Sequence, residues 1–148
     1  MSASLSTIAR RFSFVREVGG ANVGAWVTFF QRWCGGTPGD SWCCDFASLV
    51  EDVAYEGKAP TKRTGSCQEK LDDARKKGYV VQAPAIDDLY FYVNDAGHAH
   101  HIGIVSNVSP LSGIAGNTSS DGVSSNGDGV YEHALNVSAP HIIFVRLP

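Results

Sequence analysis

Apolar and polar positions divide the 148-residue chain into two halves with different periods. In the first half, Leu5, Ile8, Ala9, Phe12 and Val15 recur every three or four residues, the spacing of one helix face. Gly19-Gly20 interrupts that pattern. Trp26, Phe29, Phe30 and Trp33 repeat it before Gly35-Gly36, and these aromatics are expected in the core rather than in a ligand box. "GGTPGDS" then has the chemistry of a loop. Phe46, Leu49, Val50 and Val53 predict a third helix ending near Gly57, with Asp40 or Ser41 as its cap. Ser66 and Glu69 have the spacing of a capping box that opens a fourth helix, and Gly78 closes it.

From Tyr79 onward the period shortens. "YVVQ", "DLYFYV", "HIGIVSNV", "SGIAG", "GVYEHAL" and "HIIFVRL" are short, rich in β-branched and aromatic residues, and separated by turn formers. Helices first and strands afterwards predict an α+β fold, with N-terminal helices packed on an antiparallel sheet of about five to six strands. Residues 117–129, "NTSSDGVSSNGDG", are expected to be a polar loop long enough to carry function.

Composition narrows the possibilities. With 43% apolar residues the chain can bury one core, so residues 1–148 are expected to form a single domain. A net charge of -3 gives a nucleic-acid partner no electrostatic support. Seven of the 12 Lys and Arg residues lie from Lys58 to Lys77, a run expected to be a solvated helix face. The opening "MSASLSTIARRF" lacks the apolar core of a secretory signal, and no stretch approaches the ~18 apolar residues of a membrane span. The expectation is a monomer made in the cytoplasm without a signal peptide. It should make no membrane contact and form no disulfide among Cys34, Cys43, Cys44 and Cys67.

Chemistry enters at "SWCCDFASLV". Unpaired N–H groups and the dipole at a helix start favour a thiolate, and Cys43 and Cys44 both fall in the first turn of the third helix. They are also readable as two small core residues. Cys43 aligns with Phe46 and Val50 on the apolar stripe, near the boundary with the sheet, whereas Cys44 is turned about 100° away. A nucleophilic thiol needs a base, and "GHAHHIGIV" offers His98, His100 and His101 at a strand start. Alternation along a strand should turn His100 and His101 to opposite faces. His133 and His141 are read as surface or structural residues. Adjacent cysteines do not have zinc-ligand spacing, and neither "NDAGH" nor "DGVSSNGDG" matches an EF-hand loop, so no metal is expected. Asn117, at the end of "SGIAGN", could orient an imidazole through its second nitrogen or simply close a turn.

Together these segments resemble the CHAP family, the cysteine- and histidine-dependent amidohydrolases and peptidases of peptidoglycan, over most of the chain. "SWCCDFASLV" resembles the family's W-C-x-x-F motif, "HIGIV" its H-V-G-I-V, and "GIAGNTSSDGVSSNGDGVYEH" its E-G-N-T segment with the following G-x-G-V. "REVGGANVGAWV" resembles its opening Glu and Asn-x-Gly, and "TGSCQEKLDDARKKGYVV" the helix after the nucleophile. The resemblance implies a papain-like fold and a catalytic set of Cys43 as nucleophile, His101 as base and Asn117 as its orienting group. Cys44 stands where the family has a small residue, and Trp42 is a candidate wall of the substrate cleft. Ala115 replaces the family's usual Glu, and Asp87-Asp88-Leu89 replaces Gly-Asp-Leu.

The implied activity is hydrolysis of an amide bond in peptidoglycan without a cofactor. The bond is either the N-acetylmuramoyl–L-alanine linkage or one in the stem or cross-bridge peptide, and the outcome is lysis of the bacterial cell wall, as by a phage endolysin. Two alternatives stand beside it: an inactive wall-binding or structural module, and an interbacterial toxin using the same chemistry.

Overall fold

The computed structural model describes residues 3–120, 122, 126–135 and 141–148. Four helices precede six strands: α1 (Leu5–Arg10), α2 (Ala25–Trp33), α3 (Cys43–Ala54), α4 (Cys67–Lys76), β1 (Val80–Val81), β2 (Leu89–Val93), β3 (Ala99–Val108), β4 (Leu111–Thr118), β5 (Gly129–Ala134) and β6 (Ile142–Val145). All neighbouring strands are antiparallel, in the order β1-β6-β2-β3-β4-β5. The fold is α+β, with the helices packed on the sheet, as the change of period predicts. Among the described residues, no helix is long and apolar enough to cross a membrane.

Period-2 alternation sorts the strand residues onto two faces. Leu89, Phe91, Ile102, Ile104 and Ile114 face the helices and join their apolar residues in the main core. Tyr90, Val105, Ala115 and Phe144 form a second cluster on the other face. Gly116 lets α3 approach β4 closely. A Cβ there would stand 2.7 Å from the Trp42 ring and 2.9 Å from the Phe46 Cβ.

Several local expectations are corrected. The first helix ends at Arg10, not at the glycines. Its chain tightens through three successive i→i+3 bonds, Arg11 to Ile8, Phe12 to Ala9 and Ser13 to Arg10. Val15 and Arg16 then leave toward Gly129, with which Arg16 forms a β-bridge. Of the four aromatics on α2 only Phe30 is fully buried, while Trp26 and Phe29 are about half exposed. Neither Asp40 nor Ser41 caps α3, because Asp40 accepts the Thr37 N–H and Trp42 occupies the cap position without a side-chain bond. Ser66 does cap α4 by accepting the Glu69 N–H, but Glu69 returns no bond to it and accepts from the Thr64 hydroxyl instead.

Asn117 and Thr118 belong to β4, so the expected polar loop starts later than residue 117. Positions 121 and 123–125 of that loop lie outside the described residues.

The basic run is not all solvated. Lys70 is completely buried and pairs at 2.6 Å with the equally buried Glu51. Glu51 also accepts from the Thr61 N–H and hydroxyl, and Lys70 donates to the Lys62 carbonyl. Such satisfaction on all sides is what a buried ion pair requires. The pair fastens the last turn of α3 to the first turn of α4, and so fixes how the two helices stand relative to each other.

Candidate active site

Cys43 opens α3 and Cys67 opens α4, and their sulfurs lie 3.6 Å apart. Because no side chain caps α3, the first-turn N–H groups are left for whatever occupies the space before the helix. Cys43 and Cys44 are both buried, with 3% and 0% exposure. The reason is that α3 is enclosed by α1, α2 and the sheet, and it buries every residue from Cys43 to Glu51. Val53, expected on the buried stripe, is the half-exposed one. A single stripe therefore does not distinguish the two thiols.

Their neighbours do. The Cys43 thiol is held well below its ordinary range, first by a hydrogen bond from Cys67, then by a hydrogen bond and the charge of His101, and by the Ile102 backbone N–H. Burial opposes this and is outweighed. Cys67 is pushed in the opposite direction, first by its hydrogen bond to Cys43 and then by one to Cys44, with burial and the charges of those two thiols adding to it. Cys34, with its sulfur 3.7 Å from the Asp45 carbonyl, is raised mainly by burial and by the Asp45 charge.

His101 sits in β3 with 1% exposure and is the histidine that reaches Cys43. His98 lies before the strand and is exposed, as is His100. The two neighbouring histidines are not separated by simple alternation. Tyr92 pairs with His101 and Val93 with Ala99, so His100 is the extra residue of a β-bulge. The Tyr92 ring consequently contacts both imidazoles, at 6.0 Å and an interplanar angle of 13° for His101 and at 6.5 Å and 23° for His100. The beginning of β3 is held from α4, where the Gln68 side-chain oxygen accepts the Ala99 N–H at 2.7 Å.

Asn117 is fully buried and left-handed, with φ 53°. Ile104 pairs with Ile114, and counting three residues from that pair along each strand reaches His101 and Asn117. The topology thus delivers both to the same end of the sheet. Asn117 does not, however, bond the imidazole. Its amide N–H donates to the Ser41 hydroxyl at 2.9 Å. The buried Asn117 Oδ1 and His101 Nδ1 are each without a hydrogen-bond partner.

Trp42 is corrected from cleft wall to core. It has no exposed surface, its ring stacks on Phe30 at 6.0 Å, and its N–H donates to Glu17 at 3.0 Å. Glu17 and Asn22 of the "REVGGANVGAWV" segment therefore support the approach to α3, since Asn22 also donates to the Gly39 carbonyl. His133 is buried on β5 with its Nδ1 at 3.1 Å from the Ala134 carbonyl, and His141 contacts Asp95 at 3.0 Å. Among the described residues, no three His, Cys, Asp or Glu side chains are grouped to hold a metal ion.

Cys67, Gln68 and Tyr92 are the site residues that sequence reasoning missed. The Ser66 cap was a usable signal for the first. It places Cys67 at the first position of α4, as Cys43 is placed on α3.

Comparison of the chain with protein-family models, curated proteins and solved structures finds no match. The resemblance to the CHAP family therefore rests on the sequence motifs alone.

Proposed function

We propose that the protein is a cysteine-dependent hydrolase of peptidoglycan amide bonds, of the CHAP type and papain-like in its mechanism. The observation that carries this reading is the contact of a buried imidazole, His101, with a thiol at an uncapped helix start, Cys43, whose ionisation that contact favours. Cys43 Sγ attacks the amide carbonyl carbon. The developing oxyanion is stabilised by the free first-turn N–H of Cys43. His101 carries the proton taken from the thiol and gives it to the leaving amine, which departs as the acyl-enzyme forms. A water deprotonated by His101 then attacks the thioester and releases the acid and the thiol. Asn117 stands at the same end of the sheet, and its unpartnered Oδ1 can accept an imidazole N–H once its amide turns from Ser41.

The substrate assignment rests on the motif resemblance alone. In the test, purified protein is incubated with peptidoglycan of several cross-link types and the released fragments are identified by mass spectrometry. New amine termini at one position in the stem, or free lactyl groups on muramic acid, are expected. Intact wall from every type would overturn the proposal.

A further inference from the structure

Cys67 is not consumed in the reaction above, yet it touches the nucleophile. The two sulfurs are 3.6 Å apart, against about 2.05 Å in a disulfide, a gap that a small side-chain rotation can close. They belong to two helix starts that the Glu51–Lys70 pair fastens together, so their proximity is a product of tertiary structure. Their acidities diverge, with Cys43 favouring the thiolate and Cys67 the thiol. That is the division between a thiol that attacks an oxidant and one that resolves the product.

We propose that Cys43 and Cys67 form a reversible oxidation site for hydroperoxides, in which a Cys43–Cys67 disulfide switches the nucleophile off and protects it from irreversible oxidation. That the switch controls hydrolysis rests on the function proposed above, whereas the oxidation chemistry requires only the two sulfurs. Cys43 thiolate attacks one peroxide oxygen. The O–O bond breaks, the departing oxygen takes up a proton, and Cys43 becomes a sulfenic acid. Cys67 sulfur then attacks Cys43 sulfur, its proton leaves with the sulfenic hydroxyl as water, and the S–S bond forms. In total, two thiols and one hydrogen peroxide give one disulfide and two waters. A dithiol reductant returns two electrons and two protons and restores both thiols.

The test treats the full chain with hydrogen peroxide and follows it by intact mass and non-reducing peptide mapping. The wild type should lose two hydrogens and link the peptide containing Cys43 to that containing Cys67, and dithiothreitol should reverse both changes. Cys43 and Cys44 share a peptide, so variants assign the bond. The link should persist in Cys44→Ala and vanish in Cys43→Ser and Cys67→Ser. In Cys67→Ser, Cys43 should instead gain two or three oxygens that dithiothreitol does not remove. Wall digestion by the wild type should fall at least tenfold with cross-linking and recover on reduction. A link that survives Cys43→Ser, or over-oxidation of wild-type Cys43 without any link, overturns the site. These mass readouts decide the matter even if no wall is digested, so failure of the function and failure of the oxidation site remain distinguishable.

Discussion

Cys43 and Cys44 differ in their neighbours rather than in their burial. Cys43 is in contact with His101, and its ionisation is favoured by Cys67, His101 and the Ile102 N–H. Iodoacetamide near pH 7 should therefore modify Cys43 first, and its rate should stay high below pH 8, where an ordinary thiol of pKa about 8.5 slows. Fragment-ion sequencing of the alkylated peptide reads this directly. Wall digestion should disappear in Cys43→Ala and largely survive in Cys44→Ala, and the reverse pattern would move the nucleophile by one residue. The same logic separates the histidines. General-base catalysis contributes typically about 10²- to 10⁴-fold, so His101→Ala should lower kcat/KM by at least about 10², and His100→Ala by less than about tenfold. Asn117→Ala should fall between them. A dead His100→Ala would mean that the bulge, not the buried position, selects the base.

At the scale of elements, the site is a meeting of two helix starts and one irregular strand. α3 reaches the sheet because Gly116 leaves room for Trp42 and Phe46. α4 reaches α3 through Glu51 and Lys70, and Gln68 then holds the start of β3. Removing one partner of a buried ion pair leaves the other charge uncompensated, at a cost of about 3–5 kcal/mol. Lys70→Met should lower the unfolding free energy by about that amount in urea titration. It should also weaken the preferential alkylation of Cys43, because Cys67 loses its fixed position. Lys70→Met with wild-type stability and wild-type alkylation would show that the pair does not position α4. The helices and the strands were legible because period and turn formers depend on nearby residues, whereas the choice of Cys43 and His101 came from the motif resemblance. The ion pair was not legible. Lys70 lies in a basic run whose local pattern is that of a solvated face, and only the partner 19 positions earlier explains its burial. The bulge at His100 was hidden for a similar reason, since register belongs to two strands and not to one.

Over the whole molecule, the enclosure that hides Cys43 also buries a carboxyl group two residues away. Trp42 was misread because a tryptophan beside a nucleophile looks like a cleft wall in sequence, whereas α2 and β4 close over it. Asp45 is enclosed by the same packing. It is 2% exposed, its Oδ1 has no hydrogen-bond partner, and the chain passes so near that a Cβ on Gly65 would stand 2.7 Å from that oxygen. Burial, with added repulsion from Cys43 and Asp40, raises its pKa from 3.8 to about 7. In the unfolded chain an Asp titrates near 3.9, so between about pH 4 and pH 7 the folded protein binds the proton that the unfolded chain has lost. Stability linked to this group is therefore fully present below about pH 4, declines as pH rises to about 7, and is flat above it. Asp45→Asn replaces the carboxyl with a neutral group of the same shape and removes that decline. Thermal unfolding should show the variant melting above the wild type at pH 8, with the advantage shrinking steadily toward pH 4. A difference in Tm that is the same at both ends of this range would mean that Asp45 finds a partner in solution and is not the source of the pH dependence.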